Sequence, residues 1–133
     1  MARMFLNGQA MEGGPFHHHL RGAPLVMRTR TAPGYRFFSI ADRCPGLLPD
    51  PASDARIEGE VYEVPEAVLR DDLLPTEPPE LEFSIIRLED GSASFSMILR
   101  RGELEKGVHR EITGYGGWRA YLASLDASPA PLR

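Results

Sequence analysis

Asn7, Gly8 and Gln9 form the first stretch of this sequence whose residue types could bind a ligand. They follow a short apolar run, and successive backbone N–H groups in a glycine-containing turn can hold an anion without any charged side chain. The alternative is an ordinary glycine turn after a strand. The stretch therefore predicts a candidate substrate-binding turn.

Glu77 and Glu80 are the candidate catalytic residues, and both lie in the proline-rich stretch 75–81. A general acid or base needs a fixed position and a pKa moved toward neutrality by partial burial. Prolines on either side fix the backbone of this stretch. Either glutamate could then transfer a proton, and the alternative is a solvent-facing carboxylate in a polar turn.

Glu60 and Arg36 form a second pair of interest. Glu60 shares a strand face with Tyr62, and burial of a carboxylate without a partner is costly. Because guanidinium groups bind carboxylates in a bidentate manner, Arg36 is expected to pair with Glu60 or else to bind a substrate carboxylate. Tyr35 is a candidate hydrogen-bonding wall of such a site, or a core residue.

The three adjacent histidines, His17, His18 and His19, do not predict a metal site. Neighbouring residues on a helix point roughly 100° apart, so three in a row cannot converge on one ion. We therefore expect no metal and no cofactor. The single cysteine, Cys44, cannot form an internal disulfide, which suits a reducing compartment.

Length and composition limit the function classes. A chain of 133 residues with 42% apolar residues fits one domain, which we expect to span 1–126, with a disordered tail at 127–133. A net charge of -4 and the lack of a Lys/Arg run argue against nucleic acid as a partner. No apolar stretch approaches the roughly 20 residues of a membrane helix, so we expect a cytoplasmic protein.

Strand patterns outnumber helix patterns, which indicates an α+β fold with a small closed or strongly curved sheet. Residues 44–55 are expected to be a proline-rich loop, and a short helix is expected after Pro65. Asp90-Gly91 predicts a hairpin between two of the strands. The predicted strands are 4–7, 23–31, 35–40, 56–64, 82–88 and 92–99.

A glycine-rich turn leads into the predicted C-terminal helix, in the sequence ITGYGGWRAYL, 112–122. Trp118, Tyr121, Leu122 and Leu125 have the spacing of one apolar helix face. Trp118 is then a core residue, and the alternative is that the glycine turn lines a ligand site.

Five segments occur in an order that resembles the C-terminal domain of allophanate hydrolase, a member of the wider gamma-glutamyl cyclotransferase-like group. They are FLNGQAMEGGPFHHHL, RTAPGYRFFSI, PGLLP, IEGEVYEVP and ITGYGGWRAYL, and the resemblance extends over residues 4–125. It implies a small mixed β-barrel with flanking short helices and one pocket at the barrel mouth.

The resemblance also implies chemistry. In cyclotransferases the turn after the first strand holds a substrate carboxylate, and a glutamate acts as general acid and base; Glu77 falls at that position. The allophanate hydrolase domain is thought to decarboxylate N-carboxyurea. This sequence departs from both patterns, with Ala10 where many allophanate hydrolase domains have His, and Leu74 where the cyclotransferase motif has Asp.

Two functions remain open at this stage. The first is a small-molecule enzyme for a small carboxylate, gamma-glutamyl or ureido compound, with Arg36 and the turn amides on the anion and Glu77 or Glu80 as proton shuttle. The second is a non-catalytic binding or accessory domain that partners an amidase or urea-degrading enzyme. A homodimer is compatible with either.

Overall fold

The computed structural model describes residues 1–127, so nearly all of the expected tail lies outside the described residues. Eight strands in this range form two sheets, with strand orders β2-β5-β1-β7-β6 and β4-β3-β8. Their bounds are Ala2–Leu6 (β1), Leu25–Arg30 (β2), Tyr35–Ile40 (β3), Cys44–Pro49 (β4), Glu58–Val64 (β5), Leu81–Arg87 (β6), Ala93–Leu99 (β7) and Arg110–Glu111 (β8).

Strand β1 is the middle strand of the larger sheet, antiparallel to β5 and parallel to β7. Its residues Met4, Phe5 and Leu6 are all buried, because neighbouring elements cover both faces of the strand. A strand covered on both faces is expected to have a continuous apolar run rather than an alternating one. The end of β1 therefore lies deep in the molecule, which places the turn that follows it beside the core.

The two edges of the larger sheet meet at a single bridge. Thr31, just after β2, pairs with Leu88, just after β6. The sheet is thus strongly curved, but its described strands do not form a closed ladder, so the expected barrel is not confirmed. The α+β class itself is confirmed, with two sheets and only short helical segments in residues 1–127.

The prediction that residues 44–55 form a loop is wrong for the first half of this stretch. Cys44–Pro49 is strand β4, antiparallel to β3. Strand β4 is an edge strand of its sheet. Proline is tolerated there because the missing N–H need not take part in a ladder.

The helical expectations hold with differences in detail. After Pro65 the chain is helical over 66–76, as an α-turn (α1, Glu66–Val68), a π-turn and a 3₁₀-turn in succession. The C-terminal helix, α2, spans Trp118–Ala127. Its residues Trp118 and Tyr121 are buried, whereas Leu125 is exposed, so the apolar face is narrower than predicted.

The Asp90-Gly91 hairpin is confirmed, because β6 and β7 pair in register from Leu81↔Leu99 to Arg87↔Ala93. No helix of residues 1–127 combines the length and the apolar character needed to span a bilayer.

Candidate functional site

A small cavity at the end of β1 brings Asn7, Gly8 and Gln9 together with Glu77. Its volume is about 60 Å³. The remaining lining is mostly apolar and comes from β1, β4, β6, β7, the helical segment before Glu77 and the loops that contain Ala10, Phe16 and Pro78. These residues are Phe5, Leu6, Ala10, Phe16, Pro45, Leu73, Thr76, Pro78, Leu81, Ser96 and Met97.

The turn after β1 is tight because Gly8 packs against Pro45 of β4. A Cβ atom on Gly8 would lie 2.5 Å from Pro45 Cδ, closer than real Cβ contacts allow. The Met11 N–H donates to the Gly8 carbonyl at 3.1 Å and closes the turn. The N–H groups of Gly8, Gln9 and Ala10 donate to no group of residues 1–127, so three consecutive backbone donors have no acceptor there.

Glu77 extends from a short 3₁₀-turn, Leu74–Thr76, with its own backbone already in the extended region. Its N–H donates to the Leu74 carbonyl at 3.1 Å, and the Thr76 hydroxyl donates to the Leu73 carbonyl at 2.7 Å. These bonds fix the turn, whereas the Glu77 carboxylate pairs with no group of residues 1–127. Burial raises the pKa of Glu77 to about 7, so it can both accept and donate a proton near neutrality.

Glu80, the rival candidate, does not line the cavity. Its Oε2 lies 4.0 Å from an Arg43 guanidinium nitrogen, and its Oε1 is buried without a hydrogen-bond partner among the described residues. The proline-rich stretch thus directs its two carboxylates to different surroundings. Of the two, Glu77 is the one brought beside the glycine turn.

Glu60 is placed in a different network from the one expected. Its Oε1 accepts hydrogen bonds from the Glu12 N–H and the Tyr62 hydroxyl, each at 2.8 Å, and its Oε2 lies 3.1 Å from Arg119 and 3.4 Å from Arg28. Burial alone would raise the pKa of Glu60. The hydrogen bonds from Glu12, Tyr62 and Arg119 outweigh that penalty and hold the pKa below its ordinary value.

The prediction that Arg36 pairs with Glu60 is therefore wrong. Arg36 instead forms a bidentate pair with Glu111, at 2.9 and 3.1 Å, and lies 3.7 Å from Asp50. The reason is topological: β3, which contains Arg36, and β5, which contains Glu60, belong to different sheets. The Tyr35 hydroxyl accepts the Arg87 N–H at 2.9 Å, and neither Tyr35 nor Arg36 lines the cavity.

The structure adds two residues that the sequence analysis missed, Glu12 and Arg119. Arg119 donates to the Glu12 carbonyl at 2.6 Å as well as to Glu60, so the Glu12 peptide is held at both its N–H and its carbonyl. This clamp fixes the far end of the turn that begins at Gly8. A signal was present in the sequence, since Arg119 directly follows the conspicuous Gly-Gly-Trp.

The Gly-Gly-Trp stretch serves packing. The Gly116 carbonyl accepts the Glu58 N–H at 2.8 Å, with Gly116 at a φ of 75° that favours glycine. A Cβ on Gly117 would lie 3.0 Å from the Glu58 side chain. Trp118 is 3% exposed, in agreement with its reading as a core residue.

The histidines do not gather into a metal-ligand set: in residues 1–127 no group of three or more His, Cys, Asp or Glu side chains could hold an ion. His17 Nδ1 lies 3.0 Å from the Ala10 carbonyl and its ring contacts Tyr62. The His17 ring therefore packs between Tyr62 and the turn after β1 and helps to hold that turn in place.

Substitution of Gly8 by alanine should distort the turn, because the Pro45 ring is part of a strand and cannot rotate away from the new methyl group. We expect a loss of about 1 to 3 kcal/mol in the free energy of unfolding. Gly114→Ala is the control, since a Cβ there meets no atom within 4 Å. Urea denaturation of both variants measures the effect; equal losses would show that the Gly8–Pro45 approach is not a constraint.

Comparison with known proteins supports one family. The model of the allophanate hydrolase C-terminal domain matches residues 2–123. A relative, the urea amidolyase of Saccharomyces cerevisiae, is 29% identical over 125 residues, which is 89% of this chain. This chain spans only 7% of that relative's length.

Solved structures agree with the fold. The uropathogenic E. coli-specific protein c4763 is 30% identical, with a TM-score of 0.83 over 92% of this chain and 95% of its own. The allophanate hydrolase of Kluyveromyces lactis has a TM-score of 0.84 at 23% identity, over 93% of this chain and 21% of its own. An AIG2-like protein of Mus musculus has a TM-score of 0.64 at 22% identity, over 85% and 86% of the two chains.

The family model covers nearly the whole chain, and the segments that carry the sequence resemblance contain strands β1, β3, β4 and β5, the turn after β1 and the first half of helix α2. This chain belongs to the allophanate hydrolase C-terminal domain family.

Proposed function

We propose that this protein is a small-molecule enzyme in which Glu77 transfers a proton and the turn Asn7-Gly8-Gln9 binds a carbonyl or carboxylate oxygen of the substrate. The observation that carries the proposal is the position of Glu77. Its carboxyl group is partly buried, has no partner in residues 1–127, and lines the same cavity as the turn.

The free N–H groups of Gly8, Gln9 and Ala10 support the binding half of the proposal. Such groups stabilise negative charge that develops on an oxygen, and they are most effective where water is excluded. The apolar lining of the cavity, with Phe5, Leu73 and others, provides that exclusion. Arg36 does not line this cavity, so neutral donors would hold the oxygen: the backbone N–H groups and the Asn7 side-chain amide, whose Nδ2 is buried without a hydrogen-bond partner among the described residues.

A cyclotransferase-type reaction fits these groups. An amine of the substrate attacks its own acyl carbon, and the N–H proton passes to the Glu77 carboxylate. The protonated Glu77 then gives that proton to the leaving nitrogen as the acyl–nitrogen bond breaks. Because the nucleophile belongs to the substrate, proximity supplies much of the rate and one proton shuttle suffices.

The candidate substrates are small carboxylate, gamma-glutamyl and ureido compounds. Decarboxylation of N-carboxyurea is less well supported, since Ala10 occupies the position of the histidine in many allophanate hydrolase domains. Its side chain is a buried methyl group in the turn, and it can neither bind an anion nor transfer a proton.

Glu77→Gln should lower kcat by about 10²- to 10⁴-fold on whichever compound of a gamma-glutamyl and ureido panel the wild type turns over, because the amide cannot accept the proton. Glu80→Gln is the matched control, since it removes a carboxylate from the same turn outside the cavity. Steady-state assays of the three proteins test this. Unchanged turnover by Glu77→Gln would remove the proposed role.

A second candidate is an accessory domain that partners an amidase or a urea-degrading enzyme. Its support is that the same domain forms part of the much longer S. cerevisiae urea amidolyase. Recovery of this protein with an amidase at a fixed stoichiometry would favour this reading. A homodimer or monomer alone in the lysate would count against it.

A further inference from the structure

The cavity at the end of β1 contains one ionisable side chain, Glu77. No Lys, Arg or His side chain is among its lining residues. The groups that can bind a substrate oxygen are therefore neutral: the backbone N–H groups of the turn and the side-chain amide of Asn7, whose Nδ2 is buried without a hydrogen-bond partner among the described residues. The group beside them is an acid. This combination disfavours an ionised carboxylate, whereas a set of arginines would favour one.

The charged and titratable groups on the elements around Glu77 do not neutralise the negative charge of its ionised carboxylate. From β4, burial raises the pKa of the Cys44 thiol to about 11, so the thiol is neutral. Arg43, between β3 and β4, lies beside Glu80, and Glu80 adds negative charge. From the 3₁₀-turn before β2, His17 is directed to the Ala10 carbonyl. No cation of residues 1–127 pairs with the Glu77 carboxylate.

The cavity volume limits what can enter. A cavity of roughly 150 Å³ holds a benzene ring. The volume here, about 60 Å³, suits one small planar group of a substrate. A carboxamide, a ureido carbonyl and a carboxylate are planar groups of similar size, so the cavity cannot select among them by size or shape.

We propose that this cavity, as the site of the proposed function, receives an uncharged carbonyl group of the carboxamide or ureido class, and that a carboxylate enters only together with a proton. The inference rests on the proposed function, because it concerns the same site. Two carboxylates that share a site of low dielectric repel, and one of them is kept protonated. An uncharged carbonyl accepts the same N–H hydrogen bonds without that cost.

The proposal has a pH signature with a definite sign. Below the pKa of Glu77, which burial raises to about 7, the acid is neutral and either kind of ligand can bind. Above it, each carboxylate that binds must bring a proton to Glu77. The dissociation constant for a carboxylate should then rise about tenfold for each pH unit, whereas that for a carboxamide should stay constant or change little.

Acetate and acetamide are the probes, because they have nearly the same shape and differ in charge. Each is titrated into ¹⁵N-labelled protein between about pH 6 and pH 9, and the amide resonances of Gly8, Gln9 and Ala10 report occupancy of the turn. NMR suits probes of four heavy atoms, whose affinity is limited to the weak range by their size. Wild type and the variants Glu77→Gln and Glu80→Gln are compared.

The expected result is that acetate binding to wild type and Glu80→Gln weakens about tenfold per pH unit above about 7, and that Glu77→Gln binds both probes with no pH dependence. Acetate affinity that is constant with pH in the wild type would overturn the inference and leave the proton-shuttle role to the kinetic assay. Failure of both probes to shift the three resonances would overturn the inference together with the proposed binding turn.

Discussion

Replacement of Glu60 by alanine is expected to lower the free energy of unfolding by about 1 to 3 kcal/mol, the range for leaving buried hydrogen-bonding groups without their partner. Glu60 is 1% exposed and joins the Glu12 N–H, the Tyr62 hydroxyl and the guanidinium groups of Arg28 and Arg119. Alanine leaves the Glu12 N–H and the Tyr62 hydroxyl without their acceptor and also leaves a void, whereas Arg28 and Arg119 keep their contacts with Glu12.

Urea denaturation of Glu60→Ala measures this effect, with Glu63→Ala as the control on the same strand. Glu63 is only partly buried and pairs through its side chain with no group of residues 1–127. Its removal should change stability by less than about 0.5 kcal/mol. Glu60→Gln should lie between the two, because an amide oxygen can still accept from Glu12 and Tyr62. Similar losses for Glu60→Ala and Glu63→Ala would contradict the network's importance.

Glu77→Gln, the variant expected to lose activity, should be more stable than the wild type at about pH 8 by roughly 2 to 3 kcal/mol, and no more stable at about pH 5. The cause is that the wild type must bury an ionised carboxylate without a partner at the higher pH. Glutamine keeps the shape and removes the charge.

The sign follows from the direction of the shift. The ordinary pKa of the group is 4.5, and burial raises it to about 7 in the folded protein. Between these values the unfolded chain has lost the proton and the folded chain keeps it. The contribution of Glu77 to the free energy of unfolding of the wild type should therefore fall as pH rises from about 4.5 to about 7, and it should be constant above about pH 7.

Thermal and urea unfolding of wild type, Glu77→Gln and Glu80→Gln across this pH range test the prediction. The difference between wild type and Glu77→Gln should grow with pH, and Glu80→Gln should not reproduce that growth. A pH-independent difference would show that Glu77 has an ordinary pKa. It would thereby weaken the case for Glu77 as an acid and base near neutrality. Such an exchange of stability for a reactive group is typical of catalytic sites.

The sequence predicted those elements whose signal is local. The hairpin of β6 and β7 follows from alternating residues on either side of Asp90-Gly91, and β5 follows from the same kind of alternation. Strand β4 was missed because Pro45 and Pro49 indicate a loop unless the strand is known to lie at a sheet edge. Whether a strand lies at the edge of a sheet depends on the topology of the whole fold, and the sequence of one segment does not reveal it.

The site divides in the same way. The turn at Gly8 and the glutamate at 77 could be named because each lies at a position marked by the family resemblance. The choice between Glu77 and Glu80 needed the structure, since three residues along a proline-rich turn separate a cavity wall from an ion pair with Arg43. The partners of Glu60 depend on which strands share a sheet, and the pairing of strands that are distant in the sequence cannot be deduced from any one segment.

The central place of β1 has a consequence for synthesis. This strand lies between β5 and β7, and the Ser96 hydroxyl that caps the Phe5 carbonyl comes 91 residues later in the chain. On the ribosome, β1 must therefore wait for its first partner until β5 has been made, and for its second partner until β7 has been made. Contacts of such long sequence separation slow folding, and the waiting strand is a natural binding segment for chaperones.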